Sequence, residues 1–212
     1  MSNEYILGNP NLDVRKTNRA IDELMKVTTN PRHRFMLEAY YRHRFLEIAG
    51  RYEEIFAPDM TAENPIYHVE VAGNSATLNG TEAVKGFYAV WAQTNQSIFY
   101  VDDEQVAVAD NFIASVSTMY QQTHGKTLAA NGIQVDDENA YYLIKVPGLQ
   151  MFWPYDNQGR LLGEDVWEPN PGARTLTKLT PSEVLTSERS GKLLAPFIKP
   201  LRSFGEAMLQ AA

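Results

Sequence analysis

The sequence predicts an α+β domain in which helices pack on an antiparallel sheet around one small-molecule pocket. Helical periodicity dominates up to about residue 93, with one short strand inside it, and period-two alternation takes over from about residue 98 to 168. Helices followed by a run of strands argue for segregated α+β layers rather than an alternating parallel sheet. The eleven Tyr, nine Phe and three Trp fall mainly in those patterned segments. Aromatic residues there either fill a core or line a ligand site.

Residues 12–28 read as a helix, with Ile21, Leu24 and Met25 at helical spacing. Asn30-Pro31 is a cap followed by proline in the first turn, and a long helix runs from there to about Ala49, where Gly50 suits a left-handed terminator. Its cationic run, Arg32, His33, Arg34 and Arg42, His43, Arg44, reads as a solvated face. A short turn from Tyr52 to Phe56 stops at Ala57-Pro58-Asp59. Residues 64–71 read as a strand whose Pro65 implies an edge or a start. A third helix opens with Thr81 as cap and Glu82 in its first turn, and buries Val84, Phe87, Tyr88 and Trp91 as one stripe. Strands over 98–109 and 111–123 turn at Asp110-Asn111, and a second pair over 139–153 and 160–168 turns at Asp156-Asn157-Gln158-Gly159. From Pro169 to 212 the composition becomes proline-rich, with helical stretches over 181–194 and 198–211, an extension that packs on the domain or on a partner.

Bulk properties narrow the function. With 212 residues, 44% hydrophobic and 21% charged, the chain suits one domain plus an extension, residues 1–168 and 169–212. It has no Cys, which excludes disulfides, thiolate metal sites and cysteine nucleophiles. A net charge of −7 disfavours nucleic acid as a partner. No apolar run approaches the ~20 residues of a membrane span. The N-terminus lacks the pattern of a signal peptide, so the cytoplasm is the expected compartment.

Ala49-Gly50-Arg51-Tyr52-Glu53-Glu54-Ile55-Phe56-Ala57-Pro58-Asp59, then Asn64-Pro65, Gly80-Thr81-Glu82-Ala83-Val84 and a closing strand from Gly163 to Trp167, resemble in order and spacing the SnoaL-like branch of the NTF2-like superfamily. The resemblance covers residues 30–168 and departs from the family at Arg51, where Asp or Asn is usual, and in the longer tail. It implies a cone-shaped fold with a strongly curved sheet. It also implies activities that range over polyketide cyclases, ketosteroid isomerase, dehydratases and formaldehyde-releasing lyases of lignin dimers, together with modules that bind without catalysis. Fold does not choose among them.

Three constellations carry candidate chemistry. On the long helix, Tyr40, His43 and Glu47 share a face, where a carboxylate could orient an imidazole beside a phenol, or where the His–Glu pair could simply face outward. On the first strand, Asn64 and His68 share one face and Tyr67 takes the other; either side could be the inward one. On the later strands, Tyr120, Tyr142 and Trp153 join Asp165 and Trp167. The resemblance matches Asp165, four residues before Pro169, to a carboxylate of phenazine-type members. Asp165 could equally lie on the solvent side.

The reading assigns Tyr40, His43, His68 and Asp165 to proton transfer. Glu47, Asn64, Tyr67, Phe87, Tyr88, Trp91, Tyr120, Tyr142, Trp153 and Trp167 would contact substrate. There is no GxGxxG after a strand, no P-loop, no GxSxG and no HExxH. The expected activity is therefore elimination, dehydration, retro-aldol-like cleavage or isomerisation of a hydrophobic, aromatic small molecule, without cofactor or metal, in a homodimer. A polyketide cyclase and a noncatalytic binding or dimerisation module are the alternatives.

Overall fold

The computed structural model describes residues 4–6 and 9–209. Two short 3-10 turns, Pro10–Leu12 and Val14–Lys16, precede helix α1 (Arg19–Val27). The helix starts later than its periodicity suggests because Asn9 and Asp13 each cap a turn, accepting from Asn11 N and Arg15 N. Such local side-chain bonds compete with helix propagation. Helix α2 (Pro31–Ile48) begins as expected, Asn30 Oδ1 accepting from Arg32 N and His33 N, and Gly50 beyond its end has φ +69°.

The cationic run of α2 is not a solvated face. Arg32 donates to the carbonyls of Asp110, Asp156 and Asn157, Arg34 to those of Met25 and Thr28, and Arg42 to that of Lys199. His43 and Arg44 are buried. These side chains staple loops and turns to the central helix.

Strands β1 (Thr61–Val71) and β2 (Asn74–Asn79) form a hairpin through Ala72 and Gly73, both at positive φ as a tight hairpin turn requires. Helix α3 (Thr81–Gln93) is capped by Gly80, one residue before the expected cap, and the Thr81 hydroxyl donates to the Glu63 carbonyl instead. Strands β3 (Phe99–Ala109) and β4 (Phe112–His124), helix α4 (Gly125–Ala130), and strands β5 (Tyr141–Pro154), β6 (Leu161–Trp167) and β7 (Thr175–Lys178) come next along the chain. Helices α5 (Ser187–Leu194) and α6 (Phe204–Leu209) end the described chain, so the last positions of the helix expected over 198–211 lie outside the described residues.

The strands form one open sheet in the order β2-β1-β6-β5-β4-β3, with β7 beside β6 on the same edge of β5. Every pair is antiparallel except β1–β6, which is parallel. β1 is therefore an interior strand. Pro65 is accommodated there because the β1–β6 register shifts between Thr61 and Ile66, where the ladder needs no donor from it. Further shifts between Asp102 and Gln105 and between Ser117 and Met119 bend β3 and β4. The result is the curved α+β cone, with α2 and α3 on the concave side.

The extension closes on its own chain. β7 joins the sheet, Leu185 and Leu194 are buried, and the Phe197 and Phe204 rings lie 5.9 and 5.3 Å from those of Phe45 and Phe35 on α2. No described helix is long and apolar enough to cross a membrane.

Candidate active site

A cavity of about 370 Å³ lies between α2, α3 and the concave face of the sheet. Its floor is a row of residues on adjacent strands. Parallel pairing sets Tyr67 of β1 against Glu164 of β6, and Trp153 and Glu164 come next to the antiparallel pair Phe152–Asp165 of β5 and β6. Tyr67, Glu164 and Trp153 thus face the cavity side by side. All three are buried; the Trp153 indole N–H makes no hydrogen bond with the described residues, and the Tyr67 hydroxyl, close to that of Tyr88, makes no full one. A buried donor left unpaired costs about 1–3 kcal/mol, which a ligand oxygen would recover.

The roof is α2. Glu47 is half-buried and faces the cavity. Burial pushes its carboxyl well above the usual range, opposed by the nearby positive charge of Arg44. Glu164 is also pushed up, first by burial and then by Glu47. No ion pair joins either carboxyl to a described residue. Arg44 is occupied elsewhere: its guanidinium binds both oxygens of buried Glu104 at 2.7 and 3.0 Å, the Tyr40 hydroxyl at 2.5 Å, the Thr17 carbonyl and Asn18 Oδ1. Its charge therefore biases Glu47 without neutralising it.

His43, one turn before Glu47, lies behind the cavity wall. Its ring is 4.8 Å from that of Trp153, and its Nε2 is 3.1 Å from the Tyr88 hydroxyl. Burial lowers its pKa to about 3, so it is a neutral imidazole sharing one proton with Tyr88. Burial likewise holds the Tyr67 and Tyr88 phenols well above their ordinary range, so both remain protonated donors. Among the described residues, no three His, Asp or Glu side chains converge in a way that could hold a metal ion.

The structure distributes the sequence candidates unevenly. Glu47, Tyr67, Phe87, Tyr88, Trp91 and Trp153 line the cavity. His43 touches it through Tyr88, and its expected partner Glu47 makes no hydrogen bond with it. Tyr40 is buried behind the wall with Arg44. Asn64 and His68 are exposed on the outer face of β1, since Tyr67 took the inward place. Tyr120 faces away from the cavity beneath the Lys145 ammonium, because its neighbours Met119 and Gln121 point inward. Tyr142 is spent on Asp136 and the backbone of Asp137. Asp165 and Trp167 lie on the outer face of β6, and Trp167 is 47% exposed.

Glu164 is the residue that sequence reasoning missed. β6 inverts the usual rule, with a carboxyl inward and an indole outward. The available signal was Val166, a β-branched residue two places on and so on the same face.

No family model and no curated protein matches the chain. Among solved structures it is similar to a putative SnoaL-like polyketide cyclase from Jannaschia sp., at 15% identity and TM-score 0.46 over 65% of this chain and 88% of that one. A phenazine biosynthesis-related protein from Pseudomonas aeruginosa matches at 13% identity and TM-score 0.41, over 70% and 82% of the two chains. A CaMKII hub from S. rosetta matches at 12% and 0.41, over 64% and 95%. At these identities and TM-scores the likeness carries no argument about family or role, and the fold stands on the observed element order and open curved sheet.

Proposed function

We propose that the chain is a cofactor-independent enzyme that moves a proton next to a carbonyl on a hydrophobic, ring-bearing small molecule. The observation that carries this reading is the pair of carboxyls without an ion-pair partner, half-buried Glu47 and buried Glu164, facing one cavity beside the Tyr67 hydroxyl and the unpaired Trp153 N–H. Two such groups ionise stepwise, and the charge of the first opposes the second. Glu47 is the one that ionises first, because it is half-buried and faces the open cavity, whereas Glu164 is buried. Its carboxylate takes a proton from the carbon beside the carbonyl. The C–H electrons pass to the carbonyl oxygen as an enolate, which the Tyr67 O–H, the Trp153 N–H and protonated Glu164 stabilise. Donors fixed in a dry site need no reorganisation as that charge develops.

This step is common to an isomerase, an eliminating or retro-aldol lyase and an aldol cyclase, and the fate of the enolate depends on the substrate. The aromatic wall of Phe87, Tyr88 and Trp91 suits ring faces. The test is deuterium incorporation from D₂O into a panel of aromatic and alicyclic ketones, monitored by proton NMR. The native chain should speed exchange at the carbon beside the carbonyl, and Glu47→Gln should slow it about 10²–10⁴-fold. Ketones that bind without enzyme-dependent exchange would favour the noncatalytic binding module.

The working form is a homodimer joined through the outer face of the sheet, where Ile66, Val116, Phe152, Leu162 and Trp167 are each more than a third exposed.

A further inference from the structure

The extension after β6 places one side chain in the cavity wall, Arg174, directly after the 3-10 turn Pro171–Ala173 and before β7. It is one of two cationic residues there, and the other, Arg44, has its guanidinium filled by five acceptor contacts. Arg174 is held differently. Its Nε and Nη2 donate to the two oxygens of Glu168 at 2.6 and 2.7 Å, and Glu168 Oε2 also accepts from Ala72 N at 2.7 Å. Glu168 is 3% exposed, so the fork is fixed in place. Nη1 makes no hydrogen bond with the described residues, which leaves a rigid pair of N–H donors on a permanent cation.

The position of this group sets the shape of what it can bind. Ala72 comes directly after the end of β1, and Val71 lies four residues from Tyr67, or about 13 Å along the strand. Val69 and Val71 line the cavity between the two ends. From Tyr67 to Arg174 the site therefore runs from a carboxyl and donor row, across apolar wall, to a fixed guanidinium edge. The geometry points to Arg174 as the specificity residue for an anionic oxygen group, a carboxylate or sulfonate, at the end of the ligand remote from the Tyr67–Glu164–Trp153 row. A planar guanidinium edge matches such a group better than a point charge does. Burial keeps Glu164 toward its neutral form, so the charge that opposes an anion is that of Glu47, which stands with the Tyr67–Glu164–Trp153 row and not at the Arg174 end.

This inference rests on the cavity being a ligand site, not on its being catalytic. It is tested with two fluorescent dyes of the same ring system, anilinonaphthalene sulfonate and the neutral phenylnaphthylamine. Both are titrated into a Phe152→Glu, Trp167→Glu background, which removes the exposed outer face as a dye site. The sulfonate should bind about tenfold more tightly than the neutral dye, as for a hydrogen bond to a charged group. Arg174→Gln should abolish that preference and leave the neutral dye's Kd unchanged. Arg174→Lys keeps the charge against Glu168, guarding against misfolding, and should also lose the preference, because the single ammonium is taken by Glu168. Equal affinity for the two dyes, a preference that survives both substitutions, or no binding of either dye overturns the assignment. Deuterium exchange by the native chain is read separately from the dye preference, so failure of the proposed chemistry and failure of this subsite are separately visible.

Discussion

Glu164 and Glu47 bind a proton more tightly in the folded chain than in the unfolded one, because burial penalises their charged forms. The folded state therefore holds more protons than the unfolded state once pH passes the ordinary carboxyl range. Stability should be full below that range and decline as pH rises through the raised values. His43 works at the other end: its depressed pKa means stability is lost as pH falls from the ordinary imidazole range toward about 3. Melting temperatures read by circular dichroism should fall from about pH 5 to about pH 9 in the native chain and fall less in Glu164→Gln. Parallel curves for the two would show that Glu164 carries no such shift. Helical spacing and strand parity grouped Glu47, Tyr67, Tyr88 and Trp153 as candidates but left open which way Tyr67 and Glu47 face, and the folded chain turns all four to the cavity. Glu164 was not among the candidates, because a charged residue between Gly163 and Asp165 gives no hydrophobic contrast, and the side it faces is set by a register that only the partner strands define.

That register depends on how closely β1 and β6 approach. A Cβ added to Gly163 would lie 1.9 Å from the Ile66 carbonyl oxygen, a backbone atom that cannot swing aside. Gly163→Ala should cost about 3 kcal/mol by forcing the strands apart. It should also weaken ligand binding, since Tyr67 and Glu164 sit on the next pair along. Chemical denaturation with a dye titration checks both, and native stability in this variant would mean that the two strands can separate freely. At this scale the long, strongly periodic elements were legible: α2, α3 and the two hairpin pairs lie close to where their patterns put them. β2, α4 and β7 were not. β2 is polar and mostly exposed, and β7 is four exposed residues held by pairing to β5. β7, defined by a partner distant in the sequence, leaves no periodicity of its own. The same reasoning covers the parallel β1–β6 pair, since nothing local to either strand fixes its direction.

Across the molecule, apolar surface falls into two classes. The extension was expected to pack on its own domain or on a partner, and Leu185, Leu194, Phe197 and Phe204 are covered or met by α2 and its neighbours, so they supply no reason for assembly. The outer face of the sheet is different. The registers Phe152–Asp165 and Gln150–Trp167 place Phe152 and Trp167 on adjacent strands of the same side, and Val116, opposite Gln150, extends the patch onto β4. The Phe112 ring lies 5.0 Å from that of Phe152 at its border. Phe152 is 38% and Trp167 47% exposed, which is unusual for rings on neighbouring strands of one sheet. A patch on one face of each copy is self-complementary under a two-fold axis, the commonest symmetry of soluble oligomers. Sedimentation equilibrium at micromolar concentration should therefore give twice the chain mass of 23.9 kDa. Phe152→Glu combined with Trp167→Glu places two like charges of each copy against those of the other, and should return the mass to that of one chain while the cavity still binds dye. A native chain that sediments as a monomer rejects the dimer. A double variant that remains dimeric would move the interface away from this face.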